Sequence, residues 1–256
     1  MMKYTIRYVS LLAGMLTVFS SCEHKDLCFD HDAHAPKSDV HIKAVYEKEW
    51  EHTCEGGPDW EQYPAWESRF GMDYHELCPD APDGLRIQVY NEDGTNNVLN
   101  VAPEGDIVRM RPGEHSLLLY NNDTEYIVFD DMNSFASAKA TTRTRTRASY
   151  GGNPYMENTV ENTVNAPDML YGNYMENYTA ERKTETDELP VTMHPLVFTY
   201  LVRYEFSHGL EYVALARGAL AGMAGAVWLN SGRTSEEAVT ILYDCSVEDF
   251  GAQACV

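Results

Sequence analysis

A series of short apolar segments separated by turn residues, between residues 82 and 130, constrains the fold of this chain more than any other feature. Leu85, Ile87 and Val89 alternate with polar side chains, and the Asn-Glu-Asp-Gly sequence that follows them is a strong hairpin signal. An earlier segment, from Val40 to Tyr46, alternates in the same way. The later apolar segments comprise residues 97–101, 107–110, 116–120 and 125–129. Short strands separated by turn signals about every 8 to 12 residues are typical of antiparallel β-sandwiches.

Changes in composition divide the chain into a predicted tandem of two domains. Residues 39–148 form the first β-sandwich domain, which a long insertion loop at 47–80 interrupts. Residues 149–187 are rich in Asn, Glu, Tyr and Thr and are interpreted as a connection. Residues 188–256 form the second domain, in which 196–206 is predicted as a long strand. About four strands can be counted there, fewer than a closed sandwich needs. Either this domain is incomplete in the chain, or it borrows a strand from elsewhere. The expected fold class is all-β, with two antiparallel β-sandwich domains in tandem.

A run of alternating Thr and Arg residues ends the first domain. Arg143, Arg145 and Arg147 would share one face of a strand there. Charged side chains on an edge strand deter pairing with other chains, so the pattern predicts an edge strand. A protease cleavage site and a docking face for an acidic partner are the alternatives.

The N-terminus has the pattern of a lipoprotein signal peptide. Lys3 and Arg7 precede an uncharged apolar stretch, and Ser20 and Ser21 lead into Cys22. This ending resembles a bacterial lipobox, in which the Cys thiol is alkylated by a lipid and becomes the mature N-terminus. Residues 1–21 are therefore predicted as the signal peptide, Cys22 as the lipid attachment site and residues 22–38 as a flexible acidic tether. An ordinary signal peptide followed by a coincidental Cys is the alternative. The expected location is the outer membrane, on the cell surface, with lipid as the membrane anchor.

The charge balance and the motifs exclude several function classes. The chain carries 40 acidic and 19 basic residues, for a net charge of −21. Nucleic-acid binding depends on Lys and Arg that neutralise phosphates, so we expect no nucleic-acid partner. No nucleophile elbow, zinc-protease motif or phosphate-binding Gly-rich loop is present, so we expect no enzymatic activity, no catalytic residues and no cofactor. A group of His and Cys at residues 24–34 lies in the tether without a second cluster, so we expect no metal.

The 47–80 loop contains the remaining candidate site residues. Cys54 and Cys78 are candidates for a disulfide, because an exported chain permits one. Trp50, Trp60 and Trp66 are candidates for stacking on a ligand such as a sugar ring. The alternative for these Trp residues is that they fold back and cover a core.

Four blocks of the sequence carry a resemblance to known proteins: the lipobox with residues 23–28, and residues 113–130, 167–171 and 218–232. These blocks resemble a group of Bacteroides-type surface lipoproteins. The group belongs to a domain-of-unknown-function family that is similar to the fimbrillin-like, minor-fimbrium anchor (Mfa-like) proteins. The resemblance implies transthyretin-like β-sandwich domains on a lipid anchor, with roles as anchor, assembly or accessory subunits of a pilus. It implies no catalytic residue.

Two functions follow as hypotheses. In the first, the protein is a structural anchor, cap or accessory subunit of a fimbria-like surface assembly, and pilin-like protein subunits are its partners. Strand complementation, in which a partner's strand completes an open sheet edge, would be the physical basis. In the second, the protein is a surface glycan- or ligand-binding lipoprotein that uses the 47–80 loop.

Overall fold

A computed structural model of the protein describes residues 38–47, 66–71, 73–77, 79–146, 161–183, 185–200, 202, 204–245, 248–250 and 253–255. These residues are nearly all in strands and loops. The strands before residue 150 are β1 (Ser38–Tyr46), β2 (Leu85–Asn91), β3 (Asn96–Val101), β4 (Ile107–Met110), β5 (Gly113–Asn121), β6 (Ile127–Asp130) and β7 (Lys139–Thr142). The later strands are β8 (Thr163–Asn165), β9 (Tyr171–Ala180), β10 (Asp187–Pro195), β11 (Arg217–Ala224), β12 (Ala226–Trp228), β13 (Ala238–Asp244), β14 (Glu248–Phe250) and β15 (Gln253–Cys255). Helical structure in the described ranges comprises α1 (Trp66–Phe70) and 3-10 turns at Tyr74–Leu77 and Leu210–Tyr212. The all-β fold class is confirmed.

The main sheet has seven strands in the order β3-β2-β5-β9-β10-β1-β4. The predicted hairpin is present as β2 and β3, and Gly94 at its turn has a φ of 81°, a left-handed conformation that glycine adopts without strain. The sheet is mixed rather than purely antiparallel, because β1 and β10 run parallel.

Two apolar cores lie on the two faces of this sheet, and β5 contributes to both. Leu117 and Leu119 join a core with residues of β1, β2, β4, β9 and β10. Leu118 and Tyr120 point to the other face and pack against Ala140 and Val227, from the small sheet β12-β7-β6. A strand that is buried on both faces has a continuous apolar run, as this one does from Leu117 to Tyr120.

A third sheet, β11-β13-β8, follows in the second half of the chain. In it, β11 pairs antiparallel with β13 and β8 pairs parallel with β13. The outer edge of β8 is covered by residues 143–145, since the Arg145 amide donates to the Thr163 carbonyl at 2.9 Å. All the described residues fall in one compact unit, Lys37–Val256.

The structure corrects three predictions about individual segments. The interpreted connection, 149–187, contains β8 and β9, and β9 lies in the interior of the main sheet. Only the two ends of β9 are buried. Its middle is exposed or half-exposed and includes Asn173, Glu176, Asn177 and Thr179, a composition typical of a linker. The start of the Thr/Arg run is not an edge strand, because β7 lies between β6 and β12. Arg143 and Arg145 come after β7 and lie along the edge of β8, and Arg147 lies outside the described residues.

The third correction concerns residues 196–206, for which a long strand was predicted. The strand instead ends at Pro195, as part of β10, and β10 belongs to the main sheet with β1 and β9. The division into two tandem domains stays a prediction.

Candidate protein-docking surface

An exposed aromatic segment follows β10. Phe198, Tyr200, Val202, Tyr204 and Phe206 are between 40% and 65% exposed, although large apolar side chains at alternate positions usually face a core. Tyr212 and Leu215, which follow, are 85% and 64% exposed. These seven residues, named here the aromatic segment, are most of the eleven exposed large apolar side chains in the described part of the chain. A concentration of exposed large apolar side chains in one segment is typical of an interaction site.

The first part of the aromatic segment has no regular secondary structure among its described residues. Among the described residues, 198–200 and 202 form no strand and no backbone hydrogen bond. Their sequence nevertheless alternates as strands do, with aromatic and β-branched residues that favour extended structure. Residues 198–200 and 202 therefore have the local preference of a strand, although none of them is in a strand of the structure.

Tyr204 joins the aromatic segment to the third sheet. Its hydroxyl lies 3.2 Å from the hydroxyl of Tyr243 in β13. The Tyr243 ring covers Gly218 in β11, where an added Cβ would approach the ring to 2.0 Å. Glycine at this position therefore permits the tyrosine to lie flat across β11, next to the aromatic segment.

The outer edge of β11 is open in the part of the chain that the structure describes. β11 has eight residues and pairs only with β13 among the described strands. Its first residue, Arg217, forms an ion pair with Asp244 at 3.2 Å, and Arg145 binds the same carboxylate at 2.9 Å. The hydrogen bond from Arg145 is the main cause that holds the pKa of Asp244 below its usual value. The remaining residues of β11 are uncharged.

The stretch of sequence that contains the aromatic segment and β11 differs in charge from the chain as a whole. Residues 189–234 contain two acidic residues, Glu205 and Glu211, against three basic ones, Arg203, Arg217 and Arg233. The whole chain has 40 acidic and 19 basic residues. A nearly neutral, apolar stretch in a strongly acidic chain has the composition of an interface core, where charged residues are depleted and aromatic residues enriched.

A polar cleft of about 510 Å³ adjoins the aromatic segment at Thr199. Asp80, Asp83 and Asp123 line it together with Tyr171. One oxygen of Asp123 accepts from the backbone amide of Asp83 at 2.8 Å, and the other accepts from the amide of Asn121 at 2.7 Å. Within the described ranges, no three His, Cys, Asp or Glu side chains are grouped so that they could hold a metal ion.

Of the site residues predicted from the sequence, only Trp66 is described. Cys22, Cys54, Cys78, Trp50 and Trp60 lie outside the described residues.

Trp66 begins α1, and its ring centroid lies 4.3 Å from that of Phe70 and 5.0 Å from that of Tyr74. These rings occupy part of the Trp66 surface, an arrangement that suits packing as well as ligand stacking. Its role in ligand binding stays a prediction.

The aromatic segment was missed as a site because its sequence pattern is that of a half-buried strand. Alternation in a sequence predicts which residues share a face, but it does not say whether anything covers that face. None of the helices in the described residues has the length and apolar character needed to cross a bilayer.

Comparison with known proteins finds a matching family and relatives from Bacteroides. A family model described as a domain of unknown function, DUF5119, matches residues 61–244. A Bacteroides ovatus protein named fimbrium anchoring subunit Fim4B is 25% identical over 175 residues, which are 68% of this chain and 50% of that protein. The chain thus spans about half the length of this curated relative.

Two solved structures have similar folds. A crystal structure from Bacteroides ovatus, described as an adhesin, aligns with 89% of this chain and 69% of its own, with a TM-score of 0.56 and 22% identity. One from Bacteroides thetaiotaomicron, described as a polysaccharide binding protein, covers 84% of this chain and 69% of its own, with a TM-score of 0.47 and 9% identity. The first likeness supports the fold, and the second is too weak to support more.

Proposed function

Because the chain belongs to the DUF5119 family, we propose that it is a lipid-anchored cell-envelope protein that acts as an anchor, cap or accessory subunit of a fimbria-like surface assembly. The observation that carries the proposal is the aromatic segment beside the open edge of β11. The name of the Bacteroides ovatus relative, a fimbrium anchoring subunit, supports it. Its partners would be other protein subunits of the assembly, and it would have no enzymatic activity.

The lipid anchor would be attached at Cys22, with residues 22–38 as the tether. The tether leads into β1, where Val40 and Ile42 are fully buried, so a pull on the anchor would be transmitted directly to the main sheet. Each buried lipid methylene contributes about 0.8 kcal/mol, and several chains together hold a protein firmly on a membrane. Replacement of the thiol, Cys22→Ser, should release the protein from the membrane fraction. Retention of the variant in that fraction would contradict lipid anchoring.

The aromatic segment supports a protein partner rather than a small solute. Tyr and Phe side chains supply large apolar contact areas and are enriched in the cores of protein interfaces, from which water is excluded. The open edge of β11 adds unpaired backbone groups, which a protein partner can also satisfy.

Co-purification from the native host tests this proposal. The tagged full-length protein and the double variant Phe198→Ser, Tyr200→Ser would be cross-linked in cells and purified with whatever they bind. Val98→Ser is the matched control. Val98 is 49% exposed and lies in β3, an edge strand of the main sheet, whereas β11 belongs to another sheet. We expect fimbrial subunits to accompany the wild type and the control, and to be reduced by about tenfold, the equivalent of 1.4 kcal/mol, with the double variant. Equal recovery with all three proteins, or recovery of no surface subunit, would refute the proposal.

A second candidate function is glycan binding, which the polar cleft favours. Asp80 and Asp83 line the cleft and can accept hydrogen bonds from sugar hydroxyls. Asp80 is also the last residue of the 47–80 loop, which contains the Trp residues. A glycan array would test it with the wild type and with Trp60→Ala and Trp66→Ala. Binding that persists in both variants would exclude the loop as the binding element.

A further inference from the structure

We propose that the parallel pair of β1 and β10 is a mechanical clamp, which keeps the protein folded when a fimbria pulls against the lipid anchor. The inference rests on the proposed function, because that function supplies the two points of load. One load enters at the start of β1, through the tether, and the other enters after β10, at the aromatic segment. The two strands therefore lie directly between the anchor and the docked partner.

Only short pieces of chain separate the clamp from the two points of load. β1 begins at Ser38, where the predicted tether ends, and β10 ends at Pro195, shortly before Phe198. Between them, Leu196 packs against the core on the β12-β7-β6 side of the main sheet, and its amide donates to the Leu170 carbonyl at 2.7 Å. These contacts fix the chain at the end of β10, so a pull on the aromatic segment is taken up there.

The parallel direction of the two strands decides how the load acts on them. Forces at the start of β1 and at the end of β10 act at opposite ends of a parallel pair, along the strands and in opposite directions. Such a shear load stretches all the hydrogen bonds between the strands together, so many of them must break in one step. In an antiparallel pair the same two points would lie at one end, and the bonds would open one after another. Antiparallel pairing is more common and slightly more stable per residue, so the parallel pairing favours resistance to load over stability alone.

The contact between β1 and β10 is continuous over its length. Seven residue pairs are in register, from Val40 opposite Asp187 to Tyr46 opposite Met193. Val40, Ile42 and Met193 are fully buried. The core side of the pair therefore excludes water, which would otherwise compete for the hydrogen bonds between the strands.

Side-chain contacts bridge the two strands on the exposed face. Lys43 Nζ lies 2.6 Å from Glu188 Oε1, and His194 Nδ1 lies 2.6 Å from Glu47 Oε2. The Glu47 amide also donates to the Met193 carbonyl at 2.9 Å, which extends the backbone pairing past the end of β1. Exposed ion pairs contribute little to stability, so the clamp depends mainly on its backbone hydrogen bonds.

β4 supports β1 from the other side. Four residues of β1 pair with β4, and the amides of Ile42 and Ala44 donate to the carbonyls of Asp106 and Glu104 at 3.1 Å and 2.9 Å. β1 therefore has a neighbour on both sides along most of its length. A load along its axis cannot peel it away from a free edge.

Single-molecule force spectroscopy on the purified full-length protein tests the clamp. One handle is coupled through a tag at the start of the tether, and the second is coupled to an azide-bearing residue that replaces either Tyr200 or Thr186. The handle at Tyr200 loads the pair in shear. Thr186 is exposed and directly precedes β10, so a handle there loads the same pair at one end and unzips it. The unzipping geometry is the matched control, because the strands and their hydrogen bonds are identical.

We expect the protein to stay folded at least about tenfold longer in shear than in unzipping at the same force, the equivalent of about 1.4 kcal/mol in the barrier. Glu47→Pro removes the amide that donates to Met193, whereas Glu47→Ala keeps it, and both variants lose the contact with His194. Relative to Glu47→Ala, Glu47→Pro should shorten the lifetime in shear by about threefold or more. It should leave the lifetime in unzipping unchanged, because that opening begins at the Asp187 end of the pair.

Equal lifetimes in the two geometries, or a shorter lifetime in shear, would overturn the inference. A similar effect of Glu47→Pro in both geometries would also overturn it, because the hydrogen bond would then serve general stability. The comparison of the two geometries needs no change in β1 or β10, so it remains decisive if Glu47→Pro does not fold. These measurements use the protein alone. Failure of the proposed function would appear instead in the co-purification, as an absence of fimbrial subunits, whatever the lifetimes under load.

Discussion

Removal of the Asp168 carboxylate should destabilise the protein, because this side chain links the segment before β9 of the main sheet to the start of β6. One of its oxygens accepts three backbone amides, those of Glu125 at 2.8 Å, Tyr126 at 2.6 Å and Ile127 at 3.3 Å. Asp168 itself lies just before β9. It therefore holds the start of β6 against the start of β9, although more than forty residues separate them.

The size of the effect follows from the three contacts. The Glu125 amide is exposed, so water replaces its lost partner at little cost. The Tyr126 amide is partly buried and close, and a hydrogen bond to a charged acceptor contributes about 1.5 to 3 kcal/mol. The hydrogen bond from the Ile127 amide is longer and contributes less to stability. Asp168→Ala should therefore lower the free energy of unfolding by about 2 to 3 kcal/mol, and Asp168→Asn, which keeps an uncharged acceptor, by roughly 1 kcal/mol.

Thermal unfolding of the purified full-length protein, followed by circular dichroism, measures this loss. For a unit of this size, 1 kcal/mol corresponds to about 2 to 4 °C, so Asp168→Ala should lower the Tm by about 4 to 12 °C. Glu92→Gln, an exposed position in the β2–β3 turn, removes the same charge and should change stability by less than about 0.5 kcal/mol. An Asp168→Ala variant that is no less stable than Glu92→Gln would refute the assignment of a structural role to these hydrogen bonds.

Two further predictions concern the first half of the chain. Gly105 has a φ of 100°, and an added Cβ would approach the carbonyl oxygen of Ile42 to 2.0 Å, whereas Gly94 has a φ of 81° and open space around it. Gly105→Ala should therefore cost clearly more unfolding free energy than the roughly 1 kcal/mol of strain expected for Gly94→Ala, and equal losses in urea titrations would contradict the steric argument. Burial, with a smaller contribution from Asp123, raises the pKa of Tyr46 to about 12. The folded state thus favours the neutral phenol, which stabilises the fold fully below pH 10, its usual pKa, and progressively less as the pH rises through 12. Tyr46→Phe should therefore lose less stability than the wild type between pH 9 and pH 11, and parallel losses in the two proteins would count against this pKa shift.

Strand prediction from the sequence succeeded where one face of a strand is buried and the other exposed. Val40 and Ile42 in β1, and Leu85 and Ile87 in β2, are fully buried at the alternate positions that the pattern predicts. The hairpin turn at residues 91–94 could be placed because the glycine of Asp-Gly tolerates the positive φ that tight hairpin turns require, as Gly94 does. These features depend on contacts between residues close in the sequence.

The pattern failed where pairing partners are distant in the sequence. The parallel pairing of β1 with β10 joins Val40 to Asp187, and no local signal encodes it. Likewise, β9 has the polar composition of a linker and is a strand because β5 and β10 flank it. The prediction for residues 196–206 failed in the opposite sense. Their sequence alternates as that of a strand does, but residues 196–200, 202, 204 and 206 are in no strand of the structure.

The sequence by itself determined the strand-forming segments, the turns and the acidic character of the protein, because these depend on each residue and its near neighbours. Which strands pair, and which apolar faces are covered, was decided only by the tertiary structure. A row of alternating aromatic side chains such as Phe198 to Phe206 has the same local energetics in a core and on a surface. Only the position of the other strands determines whether that row is buried within the protein or left open to another chain.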